Sequence, residues 1–396
     1  MMVPEKYEIF YPNVYTPEEQ AAIDRMLSGK QGPPGGPGGP GGPPMMKEQV
    51  YQKEKLNEVV MRMYAERIIP ENPLYNDPEY AKNTRWGGLI SAPLYQECFT
   101  LTTWNAPLPE GLGGPSHGYA GVPFMLVEEW EFTRPIRPGE FLRAYRHRPT
   151  LTKDNSDDSD GICRFTFMSH DVDLIDEAGD VIARSRCYLR MWLSHFKAEP
   201  KAPHDPVYTK ERLAEIQRIY ENEEIRGAVP RFIEDVQAGD SLTPAVLGPT
   251  TVWDMVVMTV GRQDQKLLPM QELRSQPNGP SVPDPVTGVP KCFMECHLAN
   301  DTAHTLGLPN AIHAGAVDRS LLVRIVSNWM GDDGFITSFH WRPLWDTYVG
   351  DTLFASGAVE SVDVERGECL LSLELHNQDG EQTAAAQVRV RLPKRD

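Results

Sequence analysis

Cysteine is scarce in this chain of 396 residues, and what little there is lies scattered at Cys98, Cys163, Cys187, Cys292, Cys296 and Cys369. That usage excludes a secreted disulfide framework. Cys292, Cys296 and His297 have no second ligand pair at finger spacing, so no metal is expected. Positive charge is also short, with 39 Lys and Arg against 56 Asp and Glu and a net charge of −17. Nucleic acid and anionic membranes are therefore poor partners. No apolar run approaches the roughly 18 residues of a spanning helix. The opening residues Met1–Glu8 lack the basic and apolar regions of a signal peptide, so a cytoplasmic protein is expected. Phosphate loops, dinucleotide fingerprints and the Gly-x-Ser-x-Gly elbow are missing as well, which leaves no motif for a nucleotide or redox cofactor.

Hydrophobic residues make up 40 % of the chain, enough for packed interiors, and its length suits two domains. Residues 32–44 are glycine and proline throughout. Such a run supports neither helix nor strand ladder, because proline lacks a donor and glycine loses too much entropy. The chain accordingly divides into residues 1–47 (a short helix at about 17–28 and the Gly/Pro loop), 48–200, a linker at 201–226 with a charged helix, and 227–396.

The two large segments resemble each other. Trp130-Glu-Phe-Thr-Arg134-Pro135 followed by Gly139-Glu140 has a counterpart in Phe339-His-Trp-Arg342-Pro343 followed by Gly350-Asp351. Each leads through alternating strands to a hairpin with a glycine turn, at Gly179 and Gly380. Upstream, Gly88-Leu-Ile-Ser-Ala-Pro93 parallels Gly307-Leu-Pro-Asn-Ala-Ile312. Leu321, Leu322, Ile325, Val326 and Trp329 recur at helical spacing, so a buried helix is predicted over Ala314–Met330, stopped at Gly331. Two copies of a helix followed by an antiparallel meander define an α+β protein. Arg134 and Arg342, each before a proline at a corresponding place, read most simply as scaffold of this repeat.

The stretch from His297 to Gly315 carries a histidine, Ala303, Gly307-Leu308-Pro309 and then the approach to the helix. It resembles the active-site segment of MaoC-like hotdog hydratases, and Trp329-Met-Gly-Asp-Asp-Gly-Phe335 resembles a signature of one acyl-dehydratase branch of that family. The resemblance implies two hotdog domains in tandem, each a long central helix wrapped by a curled antiparallel sheet, over about residues 48–396. It further implies hydration of a 2-enoyl-CoA, or dehydration of a (3R)-hydroxyacyl-CoA, with no metal or redox cofactor. His297 would be the base or acid, with Asp264 or Asp301 as carboxylate partner; Cys292 stands in place of the family's Asp-x-Asn-Pro segment. His313 would line the pocket, and the Ala314 and Gly315 amides would hold the thioester oxygen. In the first half, Glu71-Asn72-Pro73-Leu74-Tyr75 follows the family segment but puts Tyr75 at the histidine position, so that half is expected to bind acyl groups without catalysis. The CoA thioester is the expected small-molecule partner, with a homodimer or a second hotdog subunit as possible assemblies. Two other readings stay open at this level: a non-catalytic acyl-CoA-binding subunit of a larger complex, and a thioesterase.

Overall fold

The computed structural model describes residues 55–100, 124–146, 150–154, 165–191, 204–258, 281–284, 286–305 and 308–395. The expected helix at 17–28, the Gly/Pro run and Asp264 lie outside these residues.

The first half begins with helix α1 (Glu58–Ile68), whose Asn57 side chain accepts the Val59 N–H and so caps it. The short helix α2 (Glu97–Thr100) follows, and the remainder of the predicted first central helix lies outside the described residues. Five strands come next: β1 (Phe124–Phe132), β2 (Arg143–Arg146), β3 (Thr150–Asp154), β4 (Phe165–Ile175) and β5 (Val181–Met191). The charged segment after them forms α3 (Lys210–Glu221), opened by the Thr209 hydroxyl on the Arg212 N–H. The second half contributes β6 (Ala245–Leu247), the short helix α4 (Val252–Val257), the hairpin strands β7 (Ser281–Pro283) and β8 (Pro290–Cys292), and helix α5 (Gly315–Met330). Four long strands close it: β9 (Phe335–Pro343), β10 (Leu353–Asp363), β11 (Glu368–His376) and β12 (Gln382–Arg391).

The strands make one large antiparallel sheet in the order β2-β4-β5-β1-β9-β12-β11-β10-β6, with β3 also on β4. Read outward from its middle, β1-β5-β4 on one side repeats β9-β12-β11 on the other. The two sets meet where Trp130 stands opposite Phe339 and Glu128 opposite Trp341. Gly179 and Gly380 both take positive φ, 93° and 83°, in the hairpin turns where the repeat places them. Arg134 links its strand end to Glu140 and to the hairpin residue Asp176 at 2.8 and 2.9 Å.

Helix α5 is buried on nearly every side, the environment in which a helix apolar all round is stable. It ends at Met330 and is stopped by Gly331, with φ of 71°, as predicted; its first residue is Gly315, one after the predicted start. Leu321, Leu322, Ile325, Val326 and Trp329 pack with Phe339, Leu371, Leu373 and Val388 in a core that also takes in Tyr64, Leu74 and Trp130 of the first half.

Through this apolar core runs a buried charge cluster. Arg319 of α5, 1 % exposed, lies 2.8 Å from Glu97 and 3.0 Å from Glu128, both in the first half, and over the Trp341 ring. Glu97 also pairs with Arg67 at 3.3 Å and accepts the Tyr64 hydroxyl at 3.0 Å. Arg67 in turn donates to the Met258 carbonyl of the second half. Burial opposes the charge on Arg319, but Glu128 and Glu97 outweigh it and raise its pKa further. Burial also pushes Glu128 up, against the pull of Arg319.

Removing one member of such a cluster leaves a buried charge uncompensated, at a cost of about 3–5 kcal/mol. Arg319→Met is expected to lower the unfolding free energy by about that much in urea titration. Adding Glu128→Leu to it, with Glu97 still paired to Arg67, should recover most of the loss; no recovery would show that the arginine acts by packing alone.

Candidate active site at the head of helix α5

His297 closes a 3₁₀ turn, Phe293–His297, directly after β8. Two bonds lace this turn to the approach of α5: the Ile312 N–H donates to the Cys296 carbonyl at 3.0 Å, and His297 Nδ1 lies 2.8 Å from the Ile312 carbonyl. A carbonyl only accepts, so Nδ1 carries the proton and the neutral ring keeps its lone pair on Nε2. Among the described residues Nε2 has no hydrogen-bond partner. Burial lowers the His297 pKa, the neighbouring His313 lowers it further, and the bond to Ile312 offsets part of the effect. The side chain is therefore held as a neutral base with one free nitrogen.

The same approach is pinned from its other edge. The His313 N–H donates to the Thr347 carbonyl and the Val349 N–H to the Ala311 carbonyl, both at 2.8 Å. The His313 ring is fully enclosed, with Nδ1 3.2 Å from an Asp318 oxygen and Nε2 2.8 Å from the Thr250 hydroxyl. Asp318, 5 % exposed in the first turn of α5, also accepts the Thr347 hydroxyl at 3.2 Å. Carboxylate oxygens only accept, so His313 presents Nδ1–H to Asp318. With both nitrogens engaged, His313 is a poor candidate for proton exchange with a substrate.

Helix α5 starts at Gly315 without a side-chain cap on Ala314. The N–H groups of Gly315 and Ala316 precede the first internal helical bond, and no backbone carbonyl of the described residues accepts them. They form the positive end of a 16-residue helix, suited to an oxygen that gathers negative charge. Gly315 is confined as well as open: a Cβ there would meet the Trp341 ring at 3.1 Å and Arg319 Nη1 at 3.2 Å. Met255 and Met258 from α4 and the turn after it pack on Ala316 and Val317 and roof this end of the helix.

The structure thus brings His297, His313, Ala314 and Gly315 together at one end of α5. Asp301 sits apart from them in bonding: its carboxylate is half exposed and binds Lys291 at 2.6 Å, and that pairing lowers its pKa. Lys291 holds Asp284 as well, so Asp301 ties its helical turn to the β7–β8 hairpin. Asp264 falls outside the described residues. Tyr75 is buried in the turn Pro73–Asn76, at the far end of α5. It lines a small cleft of about 20 Å³ with Ile90, Leu94, Gln96, Met330 and Phe335. Sixteen helical residues span about 24 Å, so Tyr75 and His297 belong to different places. Burial raises the Tyr75 pKa, which keeps the phenol protonated. His304 lies with Nε2 2.8 Å from the Pro309 carbonyl and secures its loop.

Sequence reasoning missed Asp318, Thr250 and Thr347. Asp318 left a signal: Asp318-Arg319 puts two charges in the first turns of a helix predicted to be buried, and charges there call for buried partners.

No protein-family model matches the sequence, and no curated protein matches it. Solved structures do match its fold. A protein described as a MaoC-like dehydratase superimposes with a TM-score of 0.61 at 16 % identity, over 86 % of this chain and 97 % of that one. A MaoC domain protein dehydratase of Chloroflexus aurantiacus gives 0.51 at 10 % identity, over 86 % and 93 %. A Mycobacterium tuberculosis protein with a double hotdog fold gives 0.51 at 10 % identity, over 87 % and 95 %. The chain therefore has the fold of the MaoC-like dehydratases, a double hotdog. At these identities the likeness is one of fold and leaves the chemistry to the site.

Because the His297 pKa is lowered, its ring should stay neutral as the pH falls through the usual histidine value of about 6.5 and take up a proton only below it. Titration followed by ¹⁵N NMR should show the Nδ1–H form persisting through that range. The unfolded chain takes up its proton first, so this residue weakens folding as the pH falls below about 6.5. A midpoint at or above that value would contradict the burial argument.

Proposed function

We propose that the protein is an acyl-CoA hydratase or dehydratase acting on a 2-enoyl-CoA or (3R)-hydroxyacyl-CoA thioester. The observation that carries this reading is the meeting of a tautomerically fixed, neutral His297 with a helix start whose first amides are unspent. In the hydration direction, His297 Nε2 takes a proton from water as its oxygen attacks C3 of the enoyl group. Charge then builds on the thioester oxygen, where the Gly315 and Ala316 N–H groups and the helix dipole stabilise it. The proton is delivered to C2, which completes addition of one water; dehydration runs the same steps backwards. Asp264 is the carboxylate we assign to hold the water beside His297, since Asp301 is engaged by Lys291.

On this reading residues 227–396 form the catalytic hotdog. Residues 48–200 form a hotdog that keeps its shape around Tyr75 without a base, residues 201–226 link the two, and residues 1–47 precede them. The neutral phenol of Tyr75 supports this division of labour.

The test is incubation of the purified chain with a panel of 2-enoyl-CoA thioesters, with mass spectrometry following a gain of 18 Da. Loss of a general base costs typically 10²–10⁴-fold, and His297→Ala should lower kcat by that order. Release of free CoA would instead indicate a thioesterase. Binding without turnover or release would favour an acyl-CoA-binding subunit.

A further inference from the structure

Asp318 is a carboxylate buried in the first turn of a helix, and the plainest account is a favourable interaction with the helix dipole. An exposed carboxylate would serve the dipole equally well, whereas this one is 5 % exposed and must be fully hydrogen-bonded to offset its desolvation. Its partners come from two separate segments, the His313 ring before the helix and the Thr347 hydroxyl in the loop after β9. Those two residues are also joined by the His313 N–H on the Thr347 carbonyl. Asp318, His313 and Thr347 therefore close a ring, and Ile312, the residue next to His313, supplies the carbonyl that fixes the His297 ring.

We propose that Asp318 is a positioning residue: acting through His313, it holds the Ile312 carbonyl where it orients the His297 base. The inference rests on the reading of His297 given above. The surroundings leave few competitors for the role. His313 meets Asp318 on one side and Thr250 on the other, and Thr250 is itself bound to the Asp351 backbone. Across the approach lies His297, and on the helix the next residue, Arg319, is committed to Glu97 and Glu128. Thr250 completes the support by meeting the second His313 nitrogen, so the imidazole can neither rotate nor withdraw without breaking a buried bond. Asp318 touches neither the free nitrogen of His297 nor the first helical amides, which makes its action indirect.

The experiment compares Asp318→Asn, His313→Gln and Thr347→Val with the unaltered full chain. Asparagine removes the charge and one of the two accepting oxygens, so it weakens the hold on His313 and Thr347 together. A base displaced by about 1 Å costs up to about 100-fold, so Asp318→Asn should lower kcat on the order of 10–100-fold, with KM changed by less than about threefold. ¹⁵N NMR of His297 supplies a readout that does not depend on turnover. The single Nδ1–H form should give way to a mixture of tautomers in Asp318→Asn. The His297 midpoint should rise slightly in His313→Gln, because the smaller of the two effects that lower it goes with the imidazole while burial remains. Thr347→Val keeps both the carboxylate and the imidazole and carries the same readout if Asp318→Asn does not fold. Folded variants with His297 spectra identical to the unaltered chain would overturn the inference. Altered spectra in a chain that hydrates no enoyl-CoA would sink the hydratase reading and leave the positioning role of Asp318 standing.

Discussion

The buried cation Arg319 ties the two halves of the molecule at their centre. It rises from the helix of one half, and its charge is balanced by two carboxylates of the other, one on α2 and one on the strand that meets its counterpart across the middle of the sheet. A guanidinium is stable in so dry a place only when anions are fixed around it. Glu97 is fixed in turn by Arg67 and Tyr64, and Arg67 reaches back to the Met258 carbonyl beside the head of α5. The relative placement of the halves is thus specified by charge geometry as well as by apolar packing. An apolar contact would tolerate sliding, and this one does not.

That constraint bears directly on the site. Arg319 is the residue after Asp318, so the turn that anchors the central charge cluster is the turn that anchors His313. Its guanidinium also borders Gly315, whose missing side chain leaves the helix start open. One helical turn therefore serves the interface on one side and the approach to the active-site candidate on the other. Packing from Met255 and Met258 covers the remaining side. The result is a histidine base and a set of free amides on rigid elements, with a second layer of buried bonds holding both.

Much of this was legible in the residues alone. The helix predicted at Ala314–Met330 runs from Gly315 to Met330, because its apolar positions recur at helical spacing and Gly331 can take the left-handed conformation that stops it. The hairpins at Gly179 and Gly380 were readable from the same chemistry. What escaped was non-local. Nothing in the local pattern says that Arg319 finds Glu97 and Glu128, some two hundred residues earlier, or that Thr250 and Thr347 reach His313. Asp301 shows the same limit from the other side: nearness in sequence to His297 suggested a partner, and only the structure reveals the opposite charge that Lys291 on β8 offers its carboxylate. Tyr75 is buried in its own half, and the length of α5 separates it from the second half's histidine.

Strands β1 and β9 meet in the middle of one continuous sheet within a single chain. Halves joined in this way stay associated at any dilution, because the second half is always present at the effective concentration its tether sets. Separate identical subunits would have to carry every residue in duplicate, and a change useful at one end would be forced on the other. A joined chain is free of that symmetry: one end of α5 can hold a histidine and open amides while the other holds a buried phenol beside a small cleft. Its pseudo-symmetry is a matter of backbone, and its two ends answer to different demands.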